Sequence, residues 1–170
     1  MPRLQAGDHE ALRLLYERHA RSIYNFARRL LIDPSGAEDV LQETFLRTYR
    51  DRAAFRPTAL FTTWAFTIAR NLCVDILRSA RRRSEVAADP LPETGDPRPI
   101  PLEHLERLEQ ETSLRRALAA LPTEDREVLL LSRYHGLKYR DIAAIVGASE
   151  DAVKMRVHRA LARLRKLLAP

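Results

Sequence analysis

Cysteine, glycine and long apolar runs are scarce in this chain of 170 residues. Cys73 is the single cysteine, which excludes an internal disulfide, and its apolar surroundings predict a small core residue. With only five glycines and no alternating β-type runs, the chain is expected to be helical. No run of 18 apolar residues and no signal-peptide core are present, so we expect a cytoplasmic protein without membrane insertion.

Positive charge is in excess, and nearly all of it comes from arginine. The formal net charge is +6, and only three of the 29 basic residues are lysines. Arginine presents a rigid fork of donors that fits phosphate groups and guanine. Residues 1–84 and 112–170 each carry a net +6, whereas residues 85–111 carry a net −6. This pattern predicts two modules that face nucleic acid, with an acidic connector between them.

The acidic connector is also rich in proline. Five of the ten prolines lie between residues 84 and 101. Each proline fixes its own backbone and keeps the residue before it out of the helical conformation. Such a stretch cannot bury a core and is expected to be flexible. The predicted fold class is therefore all-α, with two small helical domains at residues 1–84 and 109–170 joined by a flexible Pro-rich acidic linker at 85–108.

Apolar residues at helical spacing predict three helices in the first domain and four in the second. The helices of the first domain are expected at residues 8–31, 37–53 and 62–82, with a break at residues 33–36. Those of the second domain are expected at residues 105–120, 123–134, 139–146 and 149–168. Asp8 and Thr123 are predicted to cap the helices that follow them.

The last two helices have the spacing of a helix-turn-helix. Ala143 is small enough for a close helix crossing, Gly147 can adopt the left-handed turn conformation, and Ser149 is a good N-cap. The second helix of this motif enters the major groove of DNA. Its outer face is expected to contact base edges with Lys154, Met155 and His158, and mainly phosphates with Arg156, Arg159 and Arg163. The alternative is a solvated basic face on a helical bundle.

The first domain presents two further surfaces. The outer face of the helix at residues 37–53 is acidic and amide-bearing around Asp39, Gln42 and Glu43, which suits a partner protein rather than DNA. The next helix combines aromatic residues with a basic end, as single-stranded bases require for stacking and phosphate neutralisation. Its candidate residues are Phe61, Asn71, Arg78, Arg81 and Arg82. The alternative is that the aromatic residues are core and the arginines a solvated helix end.

Three groups of motifs resemble one family over nearly the whole chain outside the connector. The stretch at residues 37–45 (AEDVLQETF) resembles region 2.2 of bacterial sigma factors, and residues 61–71 (FTTWAFTIARN) resemble regions 2.3 and 2.4. Residues 118–122 (LAALP) with Arg126, together with residues 141–143 (DIA) and 153–156 (VKMR), resemble region 4. The size and the two-block plan are similar to the extracytoplasmic-function group of the sigma-70 superfamily.

The resemblance implies a sigma factor that directs core RNA polymerase to promoters. Asp39, Gln42 and Glu43 would dock on the clamp helices of the β′ subunit, and the second domain would meet the β flap. The Phe55–Thr63 loop with Asn71 would capture a flipped base of the minus-10 element, which costs a few kcal/mol. The recognition helix would read the minus-35 element. An anti-sigma factor is a further expected partner.

The connector has the length that such a function requires. Two promoter elements about two helical turns apart are separated by roughly 70 Å. About 24 extended residues reach at most roughly 80 Å. Its acidity suggests that it lies in a basic polymerase channel that otherwise carries RNA.

The chief alternative is a stand-alone helix-turn-helix regulator that binds promoter duplex without polymerase. The acidic patch and the aromatic–arginine helix argue against it. The sequence contains no clustered carboxylates, metal-ligand spacing or Gly-rich phosphate loop. We therefore expect neither an enzyme nor a cofactor or metal site.

Overall fold

The described residues form helices and connecting turns, with no strand among them. The structure, a computed structural model, describes residues 1–56, 60–84, 112–133 and 135–169. The predicted linker at 85–108 and Tyr134, the predicted end of a helix, lie outside these ranges. None of the described helices combines the length and apolar character that crossing a bilayer requires. The predicted all-α class is confirmed.

The described residues of the first domain form four helices and a 3-10 turn. Their bounds are α1 Pro2–Gln5, α2 His9–Leu31, α3 Pro34–Arg50, the 3-10 turn Arg52–Ala54 and α4 Phe61–Ser84. The predicted Asp8 cap is confirmed, because its carboxylate accepts hydrogen bonds from the amides of Glu10 and Ala11 at 2.9 and 3.2 Å. This cap fixes where the long helix α2 begins.

Helix α3 begins three residues earlier than the sequence predicts. The predicted break between α2 and α3 is present, but it comprises Ile32 and Asp33 rather than residues 33–36. The Asp33 carboxylate accepts from the amides of Ser35 and Gly36, both at 3.1 Å, and so starts the helix. Pro34 occupies the first helical position, where its missing amide proton costs no hydrogen bond because an amide there has no partner within the helix. The sequence that resembled a chain break is therefore a helix start. The helix also ends earlier, at Arg50, where the 3-10 turn takes over.

The second domain contains a helix over residues 112–119, here α5, followed by α6 Thr123–Arg133, α7 Tyr139–Val146 and α8 Glu150–Leu168. The predicted Thr123 cap is wrong: Thr123 is the first residue of α6, and the Pro122 carbonyl accepts the Arg126 amide at 2.9 Å. The predicted start of α5 at residue 105 lies outside the described residues.

One apolar core extends through both domains. Helix α6 packs on α2, and α7 packs on α4. The shared core includes Phe26 of α2, Cys73 of α4, Leu131 of α6 and Ile142 of α7, all of them fully buried. The predicted burial of Cys73 is confirmed, and burial raises the pKa of its thiol to about 12, so the thiol is unreactive at neutral pH. We call this packing of the two domains the closed arrangement.

Polar contacts accompany the apolar packing between the domains. Arg70 of α4 donates from Nε and Nη2 to the Glu127 carboxylate of α6, at 2.8 and 3.1 Å, and the Glu127 side chain is almost completely buried. The His135 ring lies 4.8 Å from the Phe66 ring and 6.0 Å from the Phe26 ring, between centroids. Burial lowers the pKa of His135 to about 4, with a smaller contribution from Arg29. The sequence predicts two modules but not this contact between them.

Candidate nucleic-acid and polymerase interfaces

Helices α7 and α8 have the local geometry of a helix-turn-helix. Gly147 ends α7 in the left-handed conformation, with φ 66° and ψ 43°. The amide of Ala148 donates to the Ala143 carbonyl at 3.1 Å, which closes the turn. Ser149 Oγ then accepts from the Ala152 amide at 3.2 Å, as the predicted N-cap of α8. These bonds set the direction of α8 relative to α7.

The outer face of α8 divides into two groups of side chains. Lys154, Met155 and His158 are exposed, and 70% of the Met155 surface is accessible. Arg156 is half-buried and lies 3.6 Å from the carboxylate of Glu124. The first group is therefore available for base edges, as predicted from the sequence, whereas Arg156 is directed partly towards α6. Their roles in minus-35 binding stay predictions.

The first residue of α6, Thr123, is followed by four consecutive charged residues, and each contacts a different part of the molecule. Glu124 faces Arg156, as described above. Asp125 binds Arg159 and Arg163 of α8, with contacts of 2.5 to 3.1 Å. Two further contacts complete the turn: Arg126 Nη1 lies 3.4 Å from the carbonyls of Leu118 and Ala119 at the end of α5, and Glu127 binds Arg70 across the domains. This turn thus contacts the recognition helix α8, the end of α5 and helix α4 of the first domain.

At the start of α4, the candidate Phe61 lies in the protein interior. Only 9% of its surface is exposed, and its ring lies 5.0 Å from that of His19 and 6.3 Å from that of Trp64. In this position Phe61 supports the start of α4, and stacking on a base would require its ring to turn outward. Leu60, just before it, is 60% exposed. The sequence cannot distinguish two such adjacent apolar residues at a helix start.

Further along α4, a polar stripe runs along one exposed face. Asn71, Asp75, Arg78 and Arg82 are all exposed and follow at intervals of three or four residues, which aligns them on one side of the helix. Arg70 Nη1 donates to Asn71 Oδ1 at 3.3 Å. We call these four residues the α4 stripe. Arg81 is exposed but lies to one side of it, and Phe61 lies about 15 Å from Asn71 along the axis. The predicted minus-10 residues therefore do not form one pocket.

Helix α3 presents an acidic and amide surface with an apolar residue beside it. Asp39 and Gln42 are exposed, as the sequence predicts for a protein-binding face. Glu43 is only half exposed, because its carboxylate accepts from Arg47 Nε at 2.6 Å. Leu46 is 65% exposed and lies four residues after Gln42, on the same side of the helix. We call Asp39, Gln42 and Leu46 the α3 face. Leu46 is not among the residues predicted from the sequence, although its helical spacing from Gln42 places it on this face.

No group of three or more His, Cys, Asp or Glu side chains in the described part of the chain is arranged to hold a metal ion. The exposed polar surfaces on α3, α4 and α8 are suited to binding macromolecules. All three belong to long helices whose opposite faces are buried in the shared core.

Two family models match the chain, in the order of its two domains. Sigma-70 region 2 matches residues 15–83, and sigma-70 region 4 matches residues 111–164. The RNA polymerase sigma factor CarQ of Myxococcus xanthus is 33% identical, over 99% of this chain and 95% of its own length. The ECF RNA polymerase sigma factor SigL of Mycobacterium tuberculosis is 35% identical, over 96% of this chain and 92% of its own.

Solved structures of similar fold agree with these relatives. The sigma factor RpoE of Bartonella quintana, solved in complex with the anti-sigma factor NepR, superposes with a TM-score of 0.78 and 26% identity, covering 94% of this chain and 97% of that one. CnrH, solved with the cytosolic domain of CnrY, gives a TM-score of 0.76 and 28% identity, covering 98% and 93%. The resemblance inferred from the motifs is confirmed, and the chain belongs to the extracytoplasmic-function sigma factors of the sigma-70 family.

Proposed function

We propose that this sigma factor binds core RNA polymerase through the α3 face, holds the opened minus-10 element on the α4 stripe and reads the minus-35 element with the outer face of α8. Residues 1–84 and 109–170 form the two functional domains, and 85–108 link them. The protein performs no chemistry of its own. The observation that carries this proposal is the presence, on separate helices, of one acidic–apolar surface and two basic ones.

The α3 face has the chemistry of a protein-binding site. Asp39 and Gln42 supply acceptors for basic groups, and the exposed Leu46 supplies apolar area, which contributes roughly 25 cal/mol per Å² when it is buried. A negatively charged surface disfavours DNA, whose phosphates would be repelled. The partner is the pair of clamp helices of the polymerase β′ subunit. The second domain contacts the β flap.

The α4 stripe suits an opened strand. Asn71 offers both donor and acceptor atoms to a base edge, while Arg78 and Arg82 neutralise phosphates. Flipping a base costs a few kcal/mol, which these contacts must offset. The stripe covers about 16 Å of helix from Asn71 to Arg82, enough for more than one nucleotide. Phe61 and Arg81 assist from its margins.

The outer face of α8 suits duplex DNA. Lys154 matches guanine acceptors, and His158 can donate to or accept from a base edge. The exposed Met155 can contact the methyl group of thymine. Arg156 and Arg159 lie beside these residues and face the phosphates. The side-chain pattern therefore supports sequence-dependent contacts flanked by backbone contacts.

This function requires the closed arrangement to open. A compact chain of 170 residues has a radius of gyration of about 15 Å, whereas the two promoter elements are roughly 70 Å apart. A linker of about 24 residues reaches roughly 80 Å when it is extended. The domains must therefore separate before both elements can be bound at once.

The proposed function also includes regulation and a site of action. An anti-sigma factor is a regulatory partner, as NepR is in the complex with RpoE of Bartonella quintana. The site of action is the cytoplasm, where polymerase and promoter DNA are found.

A test of the α3 face uses a double variant, Gln42→Ala with Leu46→Ser. Loss of an amide and an exposed leucine at the centre of the contact should reduce co-purification with core polymerase at least tenfold, without a change in circular dichroism. Glu43 is not substituted in this test because its carboxylate is bound to Arg47.

Leu14→Ser is the matched control for that variant. Leu14 is 46% exposed and lies two residues from Tyr16, whose ring contacts Phe45 of α3. Residues two apart point to nearly opposite sides of a helix, so Leu14 faces away from α3. The control should retain full binding. Equal binding by the double variant and the control would refute the assignment of the α3 face.

A further inference from the structure

The carboxylate of Asp125 is fully buried, yet its ligands are the side chains of two half-exposed arginines. Arg159 donates from Nε at 3.0 and 3.1 Å and from Nη2 at 2.5 Å, so the pair has bidentate geometry. Arg163 donates from Nη1 to Oδ2 at 2.7 Å, an oxygen that also accepts from Arg159 Nε. The two guanidinium groups cover the carboxylate, because Asp125 is 0% exposed and the arginine side chains are 52% and 47% exposed.

The two arginines share one side of α8, one helical turn apart. A guanidinium has five donors on a rigid plane, and Asp125 engages only the inner ones. The outer edges of Arg159 and Arg163 therefore face solvent in a defined orientation. Arg159 follows His158 directly and lies one turn after Met155, so it borders the surface that faces the bases in the proposed function. The pKa of Arg159 is raised, first by the hydrogen bonds that it donates to the Asp125 carboxylate, so the guanidinium stays charged.

A buried carboxylate with two arginine ligands leaves one net positive charge at the surface. Because Asp125 holds the side chains of Arg159 and Arg163 in place, they lose little conformational freedom when they bind a phosphate. A mobile arginine must first be ordered. The neighbouring acid Glu124 differs, because its side chain is 68% exposed and lies 3.6 Å from Arg156. Of these two neighbouring carboxylates, that of Asp125 is the one that is fully buried and bound by two arginines.

We propose that Asp125 is a positioning residue for promoter recognition, which holds Arg159 and Arg163 in the orientation that contacts DNA phosphates beside the minus-35 bases. The inference rests on the proposed function. Removal of the negative charge of Asp125, close to DNA, should therefore weaken binding, because the orientation of the two arginines is lost. Charge alone predicts the opposite result.

The test is a mutant cycle measured with holoenzyme assembled from the full chain and core polymerase. The probe is the genomic promoter fragment that gives the strongest run-off transcript. Asp125→Asn should reduce affinity for this fragment five- to tenfold, although the protein gains one unit of positive charge. The same substitution in an Arg159→Ala, Arg163→Ala background should change affinity less than twofold, because the groups that it positions are gone.

Two controls separate positioning from mere stabilisation of the fold. Glu124→Gln removes the adjacent exposed carboxylate and should leave affinity unchanged or slightly increased. Arg159→Lys retains the charge but not the bidentate geometry, and should reduce affinity at least threefold even if Asp125→Asn does not fold. A stabilising role alone would lower the melting temperature and leave the affinity of the folded holoenzyme unchanged.

Several outcomes would overturn the inference. Positioning by Asp125 would be excluded if Asp125→Asn bound the fragment as tightly as the wild type, or more tightly. It would also be excluded if the loss of affinity had the same size in both backgrounds. In either case, transcription by the wild-type chain would remain intact. A wild-type chain that supports no promoter-dependent transcript would instead refute the proposed function, and this inference with it.

Discussion

At the scale of single residues, exposure decides which candidates can contact a partner. His158 and Met155 lie on the outer face of α8 and are open to DNA. Phe61 and Glu43 have the expected residue types, but one is buried in the core and the other is bound to Arg47. Sequence spacing assigns each candidate to a helix that the structure contains. It does not show which side chains already have partners within the protein.

His158→Ala tests the assignment of α8 residues to base edges. If the imidazole contacts a base, the substitution should reduce discrimination at one minus-35 position by about 1–3 kcal/mol and leave the other positions unchanged. The measurement is holoenzyme binding to a set of single-base promoter variants. A uniform loss at all positions would place His158 at a phosphate instead.

At the scale of helices, the turn between α7 and α8 determines how the recognition helix is presented. The sequence predicts this turn correctly, because Gly147, Ser149 and the small Ala143 are local signals with one structural solution. The break before α3 is predicted to end three residues too late, for a related reason. Asp33 and Pro34 are typical both of turns and of helix starts, and only the capping bonds distinguish the two.

Gly147→Ala should lower the free energy of unfolding by about 1 kcal/mol. The cost is conformational, because φ is 66° and an added Cβ would meet no atom within 4 Å. Gly147→Asn should cost clearly less, since asparagine tolerates the left-handed region better. Chemical denaturation measures both. Equal losses for the two variants would mean that packing, rather than backbone conformation, determines the effect.

At the scale of the whole molecule, the two domains share one core that the sequence does not predict. Leu131 and Ile142 lie on the apolar stripes of their own helices. Hydrophobic periodicity therefore predicts that they are buried, but not that they pack against the other domain. Glu127 resembles a surface acid until its partner Arg70 is known. Contacts between domains depend on pairing across a sequence distance of about 57 residues, for which the chain carries no local signal.

Glu127→Ala should open the closed arrangement. Removing one partner of a buried ion pair leaves Arg70 without its counter-charge, which typically costs 3–5 kcal/mol. The readout is energy transfer between dyes on cysteines introduced at the exposed positions Glu38 and Arg165. Cys73 is replaced by alanine in every labelled protein, because opening of the shared core would expose its thiol. Glu124→Ala is the control, since its partner Arg156 belongs to the same domain. Unchanged transfer in Glu127→Ala would contradict this account.

Acidification should also open the closed arrangement. Burial lowers the pKa of His135 from 6.5 to about 4, so the closed form disfavours the protonated ring. Its stability is retained above pH 6.5 and lost progressively as the pH falls towards 4, by about 1–2 kcal/mol at pH 5. The same dye pair measures this shift. His135→Leu should remove the pH dependence, and an identical pH profile in that variant would exclude His135 as its source.

The central claim is that this sigma factor acts on promoters together with core polymerase. Run-off transcription from a library of genomic fragments tests it most directly, with core polymerase, the chain, or both. We expect specific transcripts only when both are present, and their loss with the Gln42→Ala, Leu46→Ser variant. The contrary result would be a chain that binds duplex sites tightly by itself and leaves the transcripts of core polymerase unchanged.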